Sequence, residues 1–156
     1  ILVDFDGNSR LADFGSAKAF PEGNDKMKGS VGTYYFFAPE LCNPDVTEYS
    51  GCAADIWALG VTLYCMVYNK LPTEDKPTFE IMEDILNNEI VLGNRKISDG
   101  LKGLIMSCLE KDPVKRIKLK ALLNHQWINE GYEGSLHLGE EGYELVADLK
   151  STTLLS

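Results

Sequence analysis

Ile1-Leu2-Val3-Asp4-Phe5-Asp6-Gly7-Asn8-Ser9-Arg10-Leu11-Ala12-Asp13-Phe14-Gly15 is the stretch that decides the fold. Ile1-Leu2-Val3 and Ser9-Arg10-Leu11-Ala12 flank the turn signal Asp6-Gly7-Asn8, which predicts a β-hairpin whose second strand delivers Asp13 at its end. Gly15, two positions on, lets the backbone pivot there without steric cost. Residues 16–33 are small, polar and glycine-bearing (Gly23, Asn24, Asp25, Gly29, Gly32), so a long mobile loop is expected. Loops of that length inside compact domains are usually functional or disordered. This one ends on Ala38-Pro39-Glu40, the anchor from which the next segment starts.

Beyond the anchor the periodicity becomes helical. From Ala53 to Tyr68 the chain is apolar almost all round, interrupted mainly by Asp55, which predicts a helix buried on every side. Asn69-Lys70-Leu71-Pro72 ends it. A second helix begins at Pro77-Thr78, with Phe79, Met82, Ile85 and Leu86 on one face. In a third, Leu101, Leu104, Ile105, Cys108 and Leu109 keep the i, i+3, i+4 spacing, with Ser98 as its N-cap. A short helix around Leu119, Leu122 and Leu123 runs towards Trp127. The expected fold class is α+β, mainly α, with one β-hairpin at the N-terminus. Residues 129–156, rich in Glu and Gly, read as an acidic C-terminal tail distinct from residues 1–128.

Composition narrows the function classes. The 156 residues are 44% hydrophobic and 25% charged, ordinary for a globular domain with a real core. A net charge of -9 argues against a nucleic-acid surface and against adhesion to anionic membranes. Four cysteines without a CxxC pair, and only two histidines, leave little for a zinc site and suit a reducing compartment. The apolar run Ile56 to Tyr68 is shorter than the roughly 20 residues of a membrane helix, and no charged-then-apolar leader is present. An intracellular setting is expected.

ILVDFDGNSRLADFG, the loop ending GTYYFFAPE, the helix start DIWALG and the KDPVKRI segment resemble, in that order, the C-terminal lobe of a eukaryotic protein kinase over residues 1–128. VTLYCMVYNKLP, NEIVLGNRKISDGLKGLI and LEKDPVKRIKLKALLNHQWI look most like the calcium/calmodulin-dependent protein kinase kinases. The resemblance implies a serine/threonine kinase using ATP and Mg²⁺ on a protein substrate. Asp13 matches the family's Mg²⁺ ligand, Phe14 the residue whose packing separates active from inactive arrangements, and Gly15 the pivot. Thr33 and Tyr34 fall in the substrate loop, where Tyr34 replaces a common proline. Ser30 lies where relatives often carry an activating phosphate, which would add about -1.5 to -2 charge. Glu40 and Arg116 match a buried structural ion pair. Asp55 matches an aspartate that accepts hydrogen bonds from the catalytic loop, with a capping role at the helix start as the competing reading.

The family's catalytic loop, with its base and second Mg²⁺ ligand, would precede Ile1, and the Gly-rich loop and ATP-orienting Lys have no counterpart here. The chain is therefore expected to be a fragment, inactive alone, whose partners include the missing N-lobe. Two rivals remain. One is a pseudokinase or scaffold built on the same lobe. The other is a haloacid-dehalogenase-type phosphatase using Asp4 as nucleophile and Asp6 as acid and base, although Asn8 stands where that family usually has Thr. A calcium loop starting at Asp4 fails, with Ser9 where Gly is needed and Gly15 where a bidentate Glu is needed.

Overall fold

The computed structural model describes residues 1–21, 23–73 and 76–129, so the expected acidic tail lies outside the described residues except for Asn129. β1 (Leu2–Val3) pairs antiparallel with β2 (Ser9–Arg10), Leu2 opposite Arg10 and Val3 opposite Ser9. Gly7 turns the corner at φ +84°. Asp4 ties the turn, its Oδ1 accepting the N–H of Asp6 at 3.1 Å and of Asn8 at 2.8 Å. The sequence predicts a second strand reaching Ala12, but the strand ends at Arg10, so Asp13 sits three residues past the ladder. Two strands with no sheet behind them cannot hold a longer ladder.

The long loop expected over residues 16–33 carries a short strand of its own. Lys26–Met27 forms β3, antiparallel to β4 (Tyr49–Ser50), with Lys26 opposite Ser50 and Met27 opposite Tyr49. A two-residue ladder leaves no periodic trace in sequence, and its partner lies on the far side of the anchor. Tyr34–Phe36 makes a single 3₁₀ turn, and α1 (Pro39–Cys42) comes next with proline in its first turn, where a missing N–H costs nothing.

α2 (Gly51–Tyr68) organises the molecule. It starts two residues before the expected Ala53 because the Ser50 hydroxyl accepts the Ala53 N–H at 3.1 Å, a serine N-cap. It ends on Asn69, whose φ of 53° is left-handed and whose N–H reaches the Cys65 carbonyl at 2.8 Å. Trp57, Val61 and Tyr64 are each 1% exposed. The sequence predicts burial on every side, but Leu59 and Met66 are exposed. At 18 residues and a mean hydropathy of 1.4 the helix is long and apolar enough to cross a membrane by composition alone, but its buried face is the core of this domain.

α3 (Thr78–Asn87) buries Ile81 and Ile85, one turn apart. Phe79, expected on the same face as Met82, Ile85 and Leu86, is 69% exposed. At 3.6 residues per turn, two positions from Ile81 is close to the opposite side. α4 (Asp99–Cys108) is capped by Ser98, whose Oγ accepts the Leu101 N–H at 3.3 Å, and it buries Leu104, Ile105 and Cys108. α2 and α4 meet at Gly60, where an added Cβ would lie 2.7 Å from the Cys108 Cβ. α5 (Leu119–Leu123) and α6 (Gln126–Asn129) close a second cluster of Ile56, Leu104, Cys108 and Leu122. The result is a mainly helical α+β fold, with its core between α2, α3 and α4 and the loops before α1 draped over the start of α2.

Candidate functional site

Asp13 is the clearest local anomaly. Its φ of 65° is left-handed, one of two such non-glycine residues among the described ones. That conformation costs an L-residue roughly 1–2 kcal/mol, least for Asn and Asp. Backbone strain of this kind concentrates at functional sites. The Gly15 N–H donates to Asp13 Oδ1 at 3.4 Å, and the Ala17 N–H reaches back to the Phe14 carbonyl at 3.0 Å, so residues 13–17 form a tight turn. Asp13 is exposed, and the Phe14 ring is 67% exposed. No three His, Cys, Asp or Glu side chains converge as a metal nest among the described residues. Mg²⁺ needs no such nest, since it is commonly held by one or two carboxylates together with substrate phosphates and water. One accessible carboxylate with a spare oxygen fits a share of that coordination.

Thr33 and Tyr34 lie on the opposite flank of the loop. Thr33 caps the 3₁₀ turn through its carbonyl, which accepts the Phe36 N–H at 3.0 Å, and its hydroxyl makes no cap hydrogen bond. The Tyr34 ring meets Phe37 edge-on at 5.2 Å, which fixes the loop to the buried Phe37. Ser30 is exposed.

Glu40 and Arg116 are brought together. Arg116 Nη1 donates to Glu40 Oε1 at 2.7 Å and Nη2 to Oε2 at 2.8 Å, a bidentate pair. Arg116 is 2% exposed and Glu40 8%. The remaining guanidinium hydrogens go to backbone: Nε to the Glu110 carbonyl at 2.8 Å, Nη1 to that of Ala53 at 2.7 Å and Nη2 to that of Lys111 at 3.3 Å. The cation also stacks 5.1 Å above the Trp57 ring. One side chain thus joins α1, the start of α2 and the loop after α4.

Asp55 lines a cavity of about 170 Å³ with Lys18, Phe37, Tyr49 and Ala54. It keeps an exposed edge, yet burial against its neighbours pushes its carboxyl above the ordinary carboxylate range. Asp13 and Thr33 do not line this cavity, so the three are arranged around the loop and do not share one pocket.

Asp4 is occupied as a turn residue. Besides the two backbone bonds, its Oδ2 accepts Arg10 Nε at 3.0 Å and Nη2 at 2.9 Å. The backbone bond from Asn8 and the Arg10 guanidinium hold its carboxyl below the usual range. A carboxylate with its oxygens so engaged makes a poor nucleophile, and the phosphatase alternative is not favoured.

Three residues bearing on the site escape a reading of the sequence. Asp25, Tyr49 and Ser50 tie the loop to α2, with the Tyr49 hydroxyl donating to the Gly29 carbonyl at 2.8 Å. Ser50, a serine directly ahead of an apolar helix, carries a readable capping signal; Asp25 carries none.

The chain matches the model of the protein kinase domain over residues 1–128. It is 37% identical over 147 residues to the calcium/calmodulin-dependent protein kinase kinase cmkC of Emericella nidulans, covering 93% of this chain and 28% of that protein. It is 35% identical over 147 residues to the serine/threonine-protein kinase GRIK2 of Arabidopsis thaliana, covering 92% of this chain and 33% of that protein. Against the serine/threonine-protein kinase TOS3 of Saccharomyces cerevisiae the identity is 31% over 150 residues, covering 82% of this chain and 27% of that protein. The chain spans about a third of the length of the curated relatives it matches. A match over four-fifths of the chain, alongside a strained carboxylate at the loop's start and a buried acidic anchor at its end, leaves one conclusion: the chain belongs to the protein kinase family.

Proposed function

We propose that the protein to which this chain belongs transfers the γ-phosphate of ATP to serine or threonine hydroxyls of a protein substrate. The observation that carries the reading is Asp13, an exposed carboxylate held in a left-handed backbone beside the Gly15 pivot. When bound, ATP with Mg²⁺ supplies the phosphoryl group and the charge that spreads over its oxygens during transfer. Asp13 would hold the metal through its free oxygen. Phe14 and Gly15 set the hinge that presents it. Thr33 and Tyr34 shape the approach of the acceptor hydroxyl, and Ser30 is the phosphosite that orders the loop. Glu40, Arg116 and Asp55 keep this ground rigid under the loop.

The base that takes the acceptor proton belongs, on this reading, to polypeptide ahead of Ile1, so that the segment alone does not turn over. The reading is supported by an apolar groove of about 200 Å³ lined by Ile1, Leu59, Leu63, Met66, Leu104 and Trp127, a surface suited to packing by further parts of a larger domain. Four unpaired thiols suit an intracellular location.

The test is nucleotide binding and turnover of the full-length protein, with and without Mg²⁺. Asp13→Asn, which keeps a side chain the left-handed backbone tolerates and removes the charge, should lower kcat by several orders of magnitude with an unchanged melting curve. A normal rate in that variant sinks the metal role. Mg²⁺-independent nucleotide binding with no transfer identifies a pseudokinase instead.

A further inference from the structure

The loop between Gly15 and Thr33 meets the start of α2 at Asp25, and that contact is built from helix-capping chemistry. Asp25 reaches the N-terminus of α2 from 25 residues away in sequence. Its carboxylate accepts the Ser50 hydroxyl and, at 3.3 Å, the Cys52 N–H, while its carbonyl accepts the Gly51 N–H at 2.9 Å. Ser50 Oγ is at the same time the acceptor for the Ala53 N–H. Two of the first orphan N–H groups of α2 are therefore satisfied by Asp25 and a third by Ser50, which Asp25 itself orients. A negative charge at this helix end is favoured by the dipole as well.

We infer that Asp25 is a positioning residue, a tertiary cap that latches residues 26–30 to α2 and so fixes the approach to Thr33. Residues 26–29, directly after the latch, are held in series: β3 pairs with β4, Lys28 Nζ meets Glu48 Oε1 at 3.1 Å, and Tyr49 OH holds the Gly29 carbonyl at 2.8 Å. Met27 packs directly over Gly51, where a Cβ would meet its sulfur. The Asp25 carboxylate is held below its ordinary range, chiefly by the Ser50 hydroxyl, so the latch carries its full charge at neutral pH. Exposed on one side and made of few bonds, it is the local opening unit of this loop.

The consequence for the acceptor site rests on the proposed kinase reading; the latch itself does not. Hydrogen exchange measured on this chain tests the latch. Asp25→Ala should speed exchange of the amides of residues 26–30 and 51–53 about tenfold, the loss expected from one charge-assisted hydrogen bond, with α4 amides unchanged. Asp25→Asn, which keeps an acceptor oxygen, should restore most of the protection. Unchanged exchange at 26–30, or an equal rise in α4, overturns the latch. In the full-length kinase, Asp25→Ala should raise KM for the protein substrate several-fold and leave KM for ATP as it was. A full-length protein without activity removes the kinase reading and leaves the exchange result standing. Equal changes in both KM values with normal kcat refute the positioning role.

Discussion

Replacing Arg116 by Met is the sharpest perturbation available in this chain. The substitution keeps an unbranched apolar stem against Trp57 and removes every polar contact of the guanidinium. Glu40, 8% exposed, then keeps a buried charge with no counter-ion, and the carbonyls of Ala53, Glu110 and Lys111 lose the donor they share. Stranding one partner of a buried pair costs about 3–5 kcal/mol. At ~2–4 °C per kcal/mol for a chain of this length, the midpoint should fall by about 6–20 °C in a far-UV circular-dichroism melt. Glu40→Gln should cost less, because Arg116 keeps its three carbonyls and its place over Trp57. The double variant should lose less than the sum of the singles, since neither survivor is left charged and alone. An Arg116→Met melt within about 2 °C of wild type, or strictly additive losses, refutes the reasoning.

Glycine placement gives a second test. Gly60→Ala should destabilise by about 1–3 kcal/mol, because its Cβ would press on Cys108 and Leu109, while Gly103→Ala, with open space around it, should gain about 0.5–1 kcal/mol from helix entropy. Both are read from urea midpoints. Burial pushes the Cys42 and Cys108 thiols up from 9.0 to about 11. A raised folded-state value means stability is intact below pH 9.0 and lost as pH climbs towards about 11, by roughly 2 kcal/mol per thiol. The double Cys→Ala variant should show a flatter alkaline limb in melts across that window, and an identical limb would contradict the burial. Asp55 has its carboxyl raised by burial, so its ionised form weakens the fold above that value. Asp55→Asn should raise the stability of this chain at neutral pH, by no more than ~0.5 kcal/mol given its exposed edge, with the gain vanishing as pH falls into the carboxylate range. On the proposed kinase reading, the same substitution in the full-length protein should reduce activity, and a gain there would exclude a structural role for Asp55 beneath the active site.

α2 is legible because its chain is apolar almost all round for more than four turns, and α4 because of its i, i+3, i+4 spacing and the cap Ser98 directly ahead of it. The cap of α2, Ser50, goes unread, which is why the expected start falls at Ala53. Face assignment is less secure where one apolar residue is judged by kind instead of angle: Phe79 takes the place that belongs to Ile81 in α3. Glu40 and Arg116 stand 76 positions apart, a separation no periodicity spans; only the family resemblance joins them. β3 and β4, two residues each, have no pattern to read, and Asp25 becomes visible only once the start of α2 is placed beside it. The left-handed backbone of Asp13 is likewise a property of the turn's own backbone geometry, although aspartate is one of the few residues that tolerates it.

That tolerance restricts how a lineage carrying this domain can give up the metal role proposed for Asp13. At a φ of 65° most side chains strain the turn, and besides aspartate only asparagine and glycine fit it cheaply. Either one discards the charge while sparing the architecture. Descendants that have become pure binding modules should therefore carry Asn or Gly at position 13 far more often than Glu, even though Glu is chemically the nearer neighbour.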